Sequence, residues 1–148
     1  MISDRELLKL AAKLSVSRTE VEWRCAASRA YFAAFHRART LIHSLGFDVP
    51  RGDRAHAFLW RRMLSCGTTS IGMAGSLLSE LRNSRNRADY DVSEEFPVKD
   101  ARVAVESASD ILQILDKLTP DDRHAAMETM RTYERDVLRE TTWRQITR

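Results

Sequence analysis

The segment 81–91 carries the side chains best suited to binding a phosphate group. Its sequence, LRNSRNRADYD, places three arginines, two asparagines, two aspartates and one tyrosine within eleven residues at the end of a predicted helix. A guanidinium stays charged and can make two parallel hydrogen bonds to a phosphate. The cluster is therefore typical either of a phosphate site or of a buried polar network, and both interpretations stay open from these residues alone.

Under the structural interpretation, Arg85 and Asp89 pair on one helix face, because residues four apart are neighbours there. Tyr90 would then pack its ring against a neighbouring helix and hydrogen-bond through its hydroxyl. Under the functional interpretation, Arg85 and Asn86 bind a phosphate and stabilise developing negative charge. Other arginines would contact the rest of a nucleic-acid backbone: Arg82, Arg87, Arg54, Arg61 and Arg62.

Arg29 is a second notable cation, because it lies in an alanine-rich and aromatic stretch with Tyr31, Phe32 and Phe35. A buried charge requires a partner of opposite sign. We expect Asp89 or Asp91 to supply that carboxylate. The aromatic patch at helical spacing is interpreted as core packing, with base stacking as the alternative.

Six helical segments must position these residues. Capping signals at Ser3/Glu6 and Ser17/Glu20 open the first two helices, and the second is expected to run to Gly46. Further helices are predicted at about 54–66, 71–88 and 98–118, with a sixth opening at Thr119-Pro120 and extending toward Trp143. No strand pattern is visible. The predicted fold is all-α, an antiparallel bundle of five or six helices.

Residues 1–148 are expected to form a single domain, since this length buries a core without disulfides or metals. The last helix, 120–143, carries a thinner apolar stripe than the others. It either lies on the outside of the bundle or completes a contact with a second copy or a partner.

Composition limits the classes of function. A net charge of +3 permits nucleic-acid binding without arguing for it. The four histidines and two cysteines match no metal-binding spacing, so neither a metal nor a cofactor is predicted. No apolar run is long enough to span a bilayer and the first residues lack a signal-peptide pattern, which favours a cytoplasmic protein.

Two segments in this order resemble a known family. Residues 28–36, SRAYFAAFH, lie on a long second helix, and residues 85–91, RNRADYD, close a later one. Together they are similar to the HEPN superfamily (higher eukaryotes and prokaryotes nucleotide-binding), in particular a small bacterial branch with an Arg-x-x-Ala-Asp-Tyr signature. The resemblance covers roughly residues 5–118. It implies a helical bundle that dimerises with its signature helices facing one another.

The resemblance also implies an activity. Many members are metal-independent endoribonucleases of toxin–antitoxin or defence systems, and some pair with a small nucleotidyltransferase-like antitoxin. On this chain Arg85 and Asn86 match the family's arginine and polar residue, whereas Tyr90 stands where the catalytic histidine is expected. A phenol ordinarily titrates near pH 10 and is a poor base at neutral pH.

Two hypotheses follow. The first is an RNA-acting protein in which Arg85, Asn86 and Tyr90 form the site, Arg82 and Arg87 contact the nucleic acid, and Arg29 and Asp89 support it. The second is a non-catalytic helical homodimer that binds a nucleotidyltransferase-like or other protein partner.

Overall fold

The computed structural model describes residues 1–146 and confirms the all-α prediction. The helices are α1 Asp4–Ser15, α2 Glu20–Ser44, α3 Arg54–Leu64, α4 Thr69–Tyr90, α5 Val98–Asp116 and α6 Pro120–Tyr133. A π-helical turn, Glu134–Leu138, follows α6 directly. Within the described residues there is no β-strand, and the single β-bridge joins Phe47 to Trp143. No described helix has the length and apolarity needed to cross a membrane.

The starts of α1 and α6 agree with the sequence prediction, and the start of α2 differs from it. Ser3 accepts a hydrogen bond from the Glu6 amide, and that residue's carboxylate accepts one from the Ser3 amide, so the predicted capping box is present. At α2 the predicted pair Ser17/Glu20 is wrong. Thr19 caps instead, accepting from the Glu22 amide at 3.4 Å. A hydroxyl residue is followed three residues later by a glutamate both at Ser17/Glu20 and at Thr19/Glu22. Glu20 does not cap the helix, because its carboxylate accepts hydrogen bonds from Arg24 and from the Phe96 amide.

The last helix is shorter than predicted. It begins as expected at a Thr119–Asp122 capping box. It does not continue to Trp143, because the π-helical turn ends at Arg139, whose backbone is left-handed with φ 55°. The chain then runs back so that the Trp143 indole nitrogen donates to the Leu45 carbonyl at 3.0 Å.

The residues group into two compact units. The first comprises Met1–Arg37 and Leu77–Gln113, and the second comprises Ala38–Ser76 and the described residues from Ile114 onward. The expectation of one domain over the whole chain stays a prediction.

In the first unit the core is rich in alanine. Small side chains let helix backbones approach closely, so polar groups at the helix ends come within hydrogen-bonding distance of each other. The buried alanines lie on α1, on α2, on α4 and on α5: Ala11, Ala26, Ala27, Ala30, Ala33, Ala34, Ala88, Ala101, Ala104 and Ala108. The site residues predicted on α2 and α4 lie in this unit, whereas the arginines of α3 lie in the second.

The second unit has a core of larger side chains. It includes Leu41, Ile42, Phe47, Leu59 and Met63, all nearly inaccessible to solvent. α6 adds Ala126 and Met130 to the buried residues, so one stripe of this helix is part of the core.

Candidate functional site

Helix α2 carries five side chains spaced by four residues, which we call the α2 row: Glu20, Arg24, Ser28, Phe32 and His36. Residues at this spacing lie one above the other on a helix. Three successive members contact the C-terminal end of α4 or the residues just after it: Arg24, Ser28 and Phe32. The α2 row therefore determines where the end of α4 is held.

Arg85 is the centre of the cluster. Its Nε lies 2.9 Å from Asp89 Oδ2 in an ion pair. The N–H is not directed at that oxygen, so the contact is not a hydrogen bond. Its Nη1 donates to the Asn86 side-chain oxygen at 3.1 Å. The structural prediction of an Arg85–Asp89 pair is confirmed, and the second amino group, Nη2, has no ion pair or hydrogen bond within residues 1–146.

Two aromatic rings accompany this guanidinium. Its central carbon is 5.3 Å from the centroid of the Phe32 ring and 5.5 Å from that of Tyr90. Both distances are within the range in which a cation is attracted to a ring. Arg85 is thus neutralised by one carboxylate and contacted by two rings, while one of its donor groups stays available.

Tyr90 does not pack as the structural interpretation predicted. Its side chain is 67% exposed, and its hydroxyl makes no hydrogen bond within the described residues. Asp89 faces the α2 row, and Tyr90, the next residue along the helix, points about 100° away from it. An exposed phenol consequently lies beside the Arg85 guanidinium.

Asp89 is held by α2 through a different residue from the one expected. Its Oδ2 accepts a hydrogen bond from the Ser28 hydroxyl at 3.3 Å. The predicted contact of Arg29 with Asp89 or Asp91 is absent from the described residues, because adjacent helix residues do not share a face. The Arg29 guanidinium lies instead 5.7 Å from the centroid of the Phe32 ring.

The other predicted nucleic-acid contacts differ in accessibility. Arg87 donates to Asp100 at 2.8 Å, and about half of its side chain remains exposed. Arg82 is half-buried, and its Nε is buried without a hydrogen-bond partner among the described residues. Arg82 and Arg85 both act to lower the pKa of buried Tyr31, but desolvation dominates and raises that pKa to about 12. Tyr31 is therefore a neutral core residue.

The arginines of α3 do not form one exposed basic face. Arg62 is 1% exposed and donates to the Glu134 carboxylate at 2.6 Å, so it cannot contact a nucleic-acid backbone. Arg54 and Arg61 remain exposed.

Arg24 is the residue that sequence reasoning missed. Its guanidinium donates to backbone carbonyl oxygens at the end of α4 and in the following turn, which belong to Arg87, Ala88, Asp91 and Glu94. The last carbonyl groups of a helix lack partners within the helix, and a cation there also interacts favourably with the helix dipole. We call this arrangement the Arg24 clamp.

Glu20 completes the clamp. Its Oε1 accepts from Arg24 Nε at 3.0 Å and from the Phe96 amide at 3.1 Å. The hydrogen bond from Arg24, followed by that from the Phe96 amide, lowers the pKa of the Glu20 carboxyl. The only sequence signal for this clamp is the four-residue spacing of the α2 row.

Comparison with known proteins identifies one similarity. The family model described as the HEPN domain matches residues 7–118. No curated protein sequence and no solved structure matches the chain. Among residues 1–146, no group of three or more His, Cys, Asp and Glu side chains is placed to hold a metal ion.

Proposed function

Because this chain belongs to the HEPN domain family, we propose that it acts on RNA through the surface formed by Arg85, Asn86 and Tyr90. The observation that carries the proposal is the exposed Tyr90 phenol beside an arginine with one free amino group. A guanidinium of this kind can bind a phosphate while the neighbouring ring stacks on a base. Arg87, with about half of its side chain exposed, extends the positive charge along the same helix end, whereas the Nε of Arg82 is buried.

The proposed reaction is metal-independent cleavage of an RNA strand. The 2′-oxygen attacks the adjacent phosphorus, its proton passes to water, and the bond from phosphorus to the 5′-oxygen breaks. Arg85 stabilises the negative charge that develops on the phosphate oxygens. The Tyr90 hydroxyl, whose ring lies beside this guanidinium, serves as the proton donor to the departing 5′-oxygen. The products are a 2′,3′-cyclic phosphate and a free 5′-hydroxyl.

The direct test incubates the purified protein with total RNA in EDTA and analyses the ends of the fragments. We expect Arg85→Ala to abolish cleavage and Tyr90→Phe to reduce it by about 10²-fold or more, as for loss of a general acid. Arg102→Ala is the matched control, since Arg102 is exposed and makes no ion pair or hydrogen bond in the described part of the chain. Equal cleavage by wild-type protein and Arg85→Ala would refute the assignment.

A second candidate function is a non-catalytic dimer that binds a protein partner such as a nucleotidyltransferase-like antitoxin. It is supported by Asp89, which already neutralises Arg85. It is also supported by two exposed side chains at the helix end, Tyr90 at 67% and Val92 at 76%. The family resemblance implies dimerisation through this helix.

Light scattering after gel filtration tests the dimer, and RNA binding separates the two candidates. The dimer proposal expects a mass of two chains for wild-type protein and Tyr90→Phe, and of one chain for Arg85→Asp. Tight RNA binding that weakens steeply with salt would favour the first function instead. Co-expression with the product of the neighbouring gene tests for a stable toxin–antitoxin pair.

A further inference from the structure

The second unit contains a cavity of about 380 Å³ that shares no residue with segment 81–91. It lies between α3, the loop after α2 and the segment that follows the π-helical turn. Its volume is in the range of small-molecule sites. Leu138, Glu140 and Thr142 contribute to its wall, and all three lie beyond the residues 7–118 that match the family model.

Arg62, one of the residues that line this cavity, belongs to a buried ion pair. Arg62 and Glu134 are each 1% exposed, and Arg62 Nη2 lies 2.6 Å from Glu134 Oε2. Glu134 also accepts hydrogen bonds from the amide and hydroxyl of Thr142. The guanidinium carbon of Arg62 lies 3.4 Å from the centroid of the Phe58 ring. The charge of Arg62 is thus already balanced by a fully buried carboxylate.

A second carboxylate binds the same amino group of Arg62. Glu140 Oε1 is 2.8 Å from Nη2, and the Glu140 side chain is 51% exposed. Glu134 alone balances the charge of Arg62, so the buried pair is neutral without the carboxylate of Glu140. Glu140 lines the cavity, so its carboxylate occupies a place where the anionic group of a bound molecule would meet Arg62.

Two further cations line the cavity without a carboxylate partner. Arg54 and Arg61 are seven residues apart, so they lie on the same face of α3. Neither makes an ion pair within residues 1–146, whereas Asp48, which also lines the cavity, is 4.0 Å from Arg144. The lining residues and their ion-pair partners therefore carry one more positive than negative charge.

We propose that this cavity binds a small molecule consisting of one phosphate or carboxylate group on a compact apolar body. The anionic group binds Arg54 and Arg61 and displaces Glu140 from Arg62. The apolar body packs against Ala57 and Leu138. The proposal is independent of the proposed action on RNA, since it involves none of the same residues.

Calorimetric titration of the full chain tests the proposal with three probes, each of which carries a single phenyl ring. Phenyl phosphate and benzoate supply the two anionic groups, and benzyl alcohol is the neutral control. We expect saturable binding of at least one anionic probe at millimolar concentration or below, and none of benzyl alcohol. The stronger of the two anionic probes identifies the preferred group.

Three variants make the test specific to the residues named. Arg54→Ala/Arg61→Ala should weaken binding by at least about ten-fold, because hydrogen bonds to a charged group are lost. Glu140→Gln removes the competing carboxylate without changing its shape and should tighten binding. Arg102→Ala, which removes an exposed arginine of the first unit, should bind as wild-type protein does.

The outcomes decide the proposal directly. Failure of both anionic probes to bind at millimolar concentration overturns it, as does unchanged binding in the double arginine variant. Equal affinities of wild-type protein and Glu140→Gln would overturn the displacement of Glu140. Thermal unfolding of each variant confirms that a lost signal does not come from a lost fold.

Discussion

The Arg24 clamp predicts a measurable loss of stability when its guanidinium is removed. In Arg24→Gln the shorter side chain cannot reach the carbonyl oxygens that now accept from Arg24. The bond to the Ala88 carbonyl is 3.0 Å long and partly buried. Hydrogen bonds made by a charged group contribute about 1.5–3 kcal/mol. The carbonyls of Arg87, Asp91 and Glu94 are exposed, so water replaces the lost donor there.

We therefore expect the free energy of unfolding to fall by about 2–3 kcal/mol in Arg24→Gln. In a chain of this size that lowers Tm by about 5–10 °C. Urea unfolding followed by circular dichroism at several temperatures measures both quantities. Arg24→Lys should give a smaller loss, because an ammonium keeps the charge but cannot span several carbonyl oxygens.

Arg18→Gln is the matched control for this prediction. Arg18 is exposed and makes no hydrogen bond or ion pair in the part of the chain that the structure describes. Its replacement should change stability by less than about 0.5 kcal/mol. If Arg24→Gln and Arg18→Gln unfold at the same urea concentration, the clamp contributes no stability and the reasoning is refuted.

Three further predictions concern single residues. Glu134→Gln should lower the free energy of unfolding by about 3 kcal/mol, since it removes one partner of a buried ion pair; a neutral result in urea unfolding would contradict the assignment of that pair. Gly46→Ala should destabilise more than Gly52→Ala: both have positive φ, but only at Gly46 would a Cβ come within 2.6 Å of an indole nitrogen, and equal Tm values would count against this. Glu20 has a pKa below its unfolded value of 4.5. Its contribution to the stability of the folded protein is therefore complete above that pH and is lost as the pH falls through the folded pKa. The Tm difference between wild-type protein and Glu20→Gln should therefore shrink on acidification, and a difference independent of pH would exclude this carboxylate as its source.

Much of the helical framework could be predicted from local sequence. The capping boxes at Ser3 and Thr119 are purely local signals, and both are present. The predicted start of α2 is wrong because Ser17 and Thr19 are each followed by a glutamate three residues later. Only tertiary contacts to Glu20 separate these alternatives, and a local pattern contains no information about them.

The candidate site was predictable where its contacts lie within one helix. The Arg85–Asp89 pair follows from a four-residue spacing. The Arg24 clamp could not be predicted in the same way, because its acceptors are backbone carbonyls more than sixty residues away. Because every residue has a backbone carbonyl, the sequence does not indicate which residues accept these hydrogen bonds. The exposure of Tyr90 could not be predicted either, because it depends on which face of α4 packs against α2.

The Arg62–Glu134 pair has a consequence for where this protein can be divided. The family match ends at residue 118, yet Arg62, the buried cation of the second unit, receives its buried counter-charge from residue 134. A shortened version ending at the family boundary would lack both carboxylates that contact Arg62, those of Glu134 and Glu140. We therefore expect the smallest autonomous folding unit to extend beyond the region that matches the family, because the added length contributes buried residues such as Met130 and Glu134.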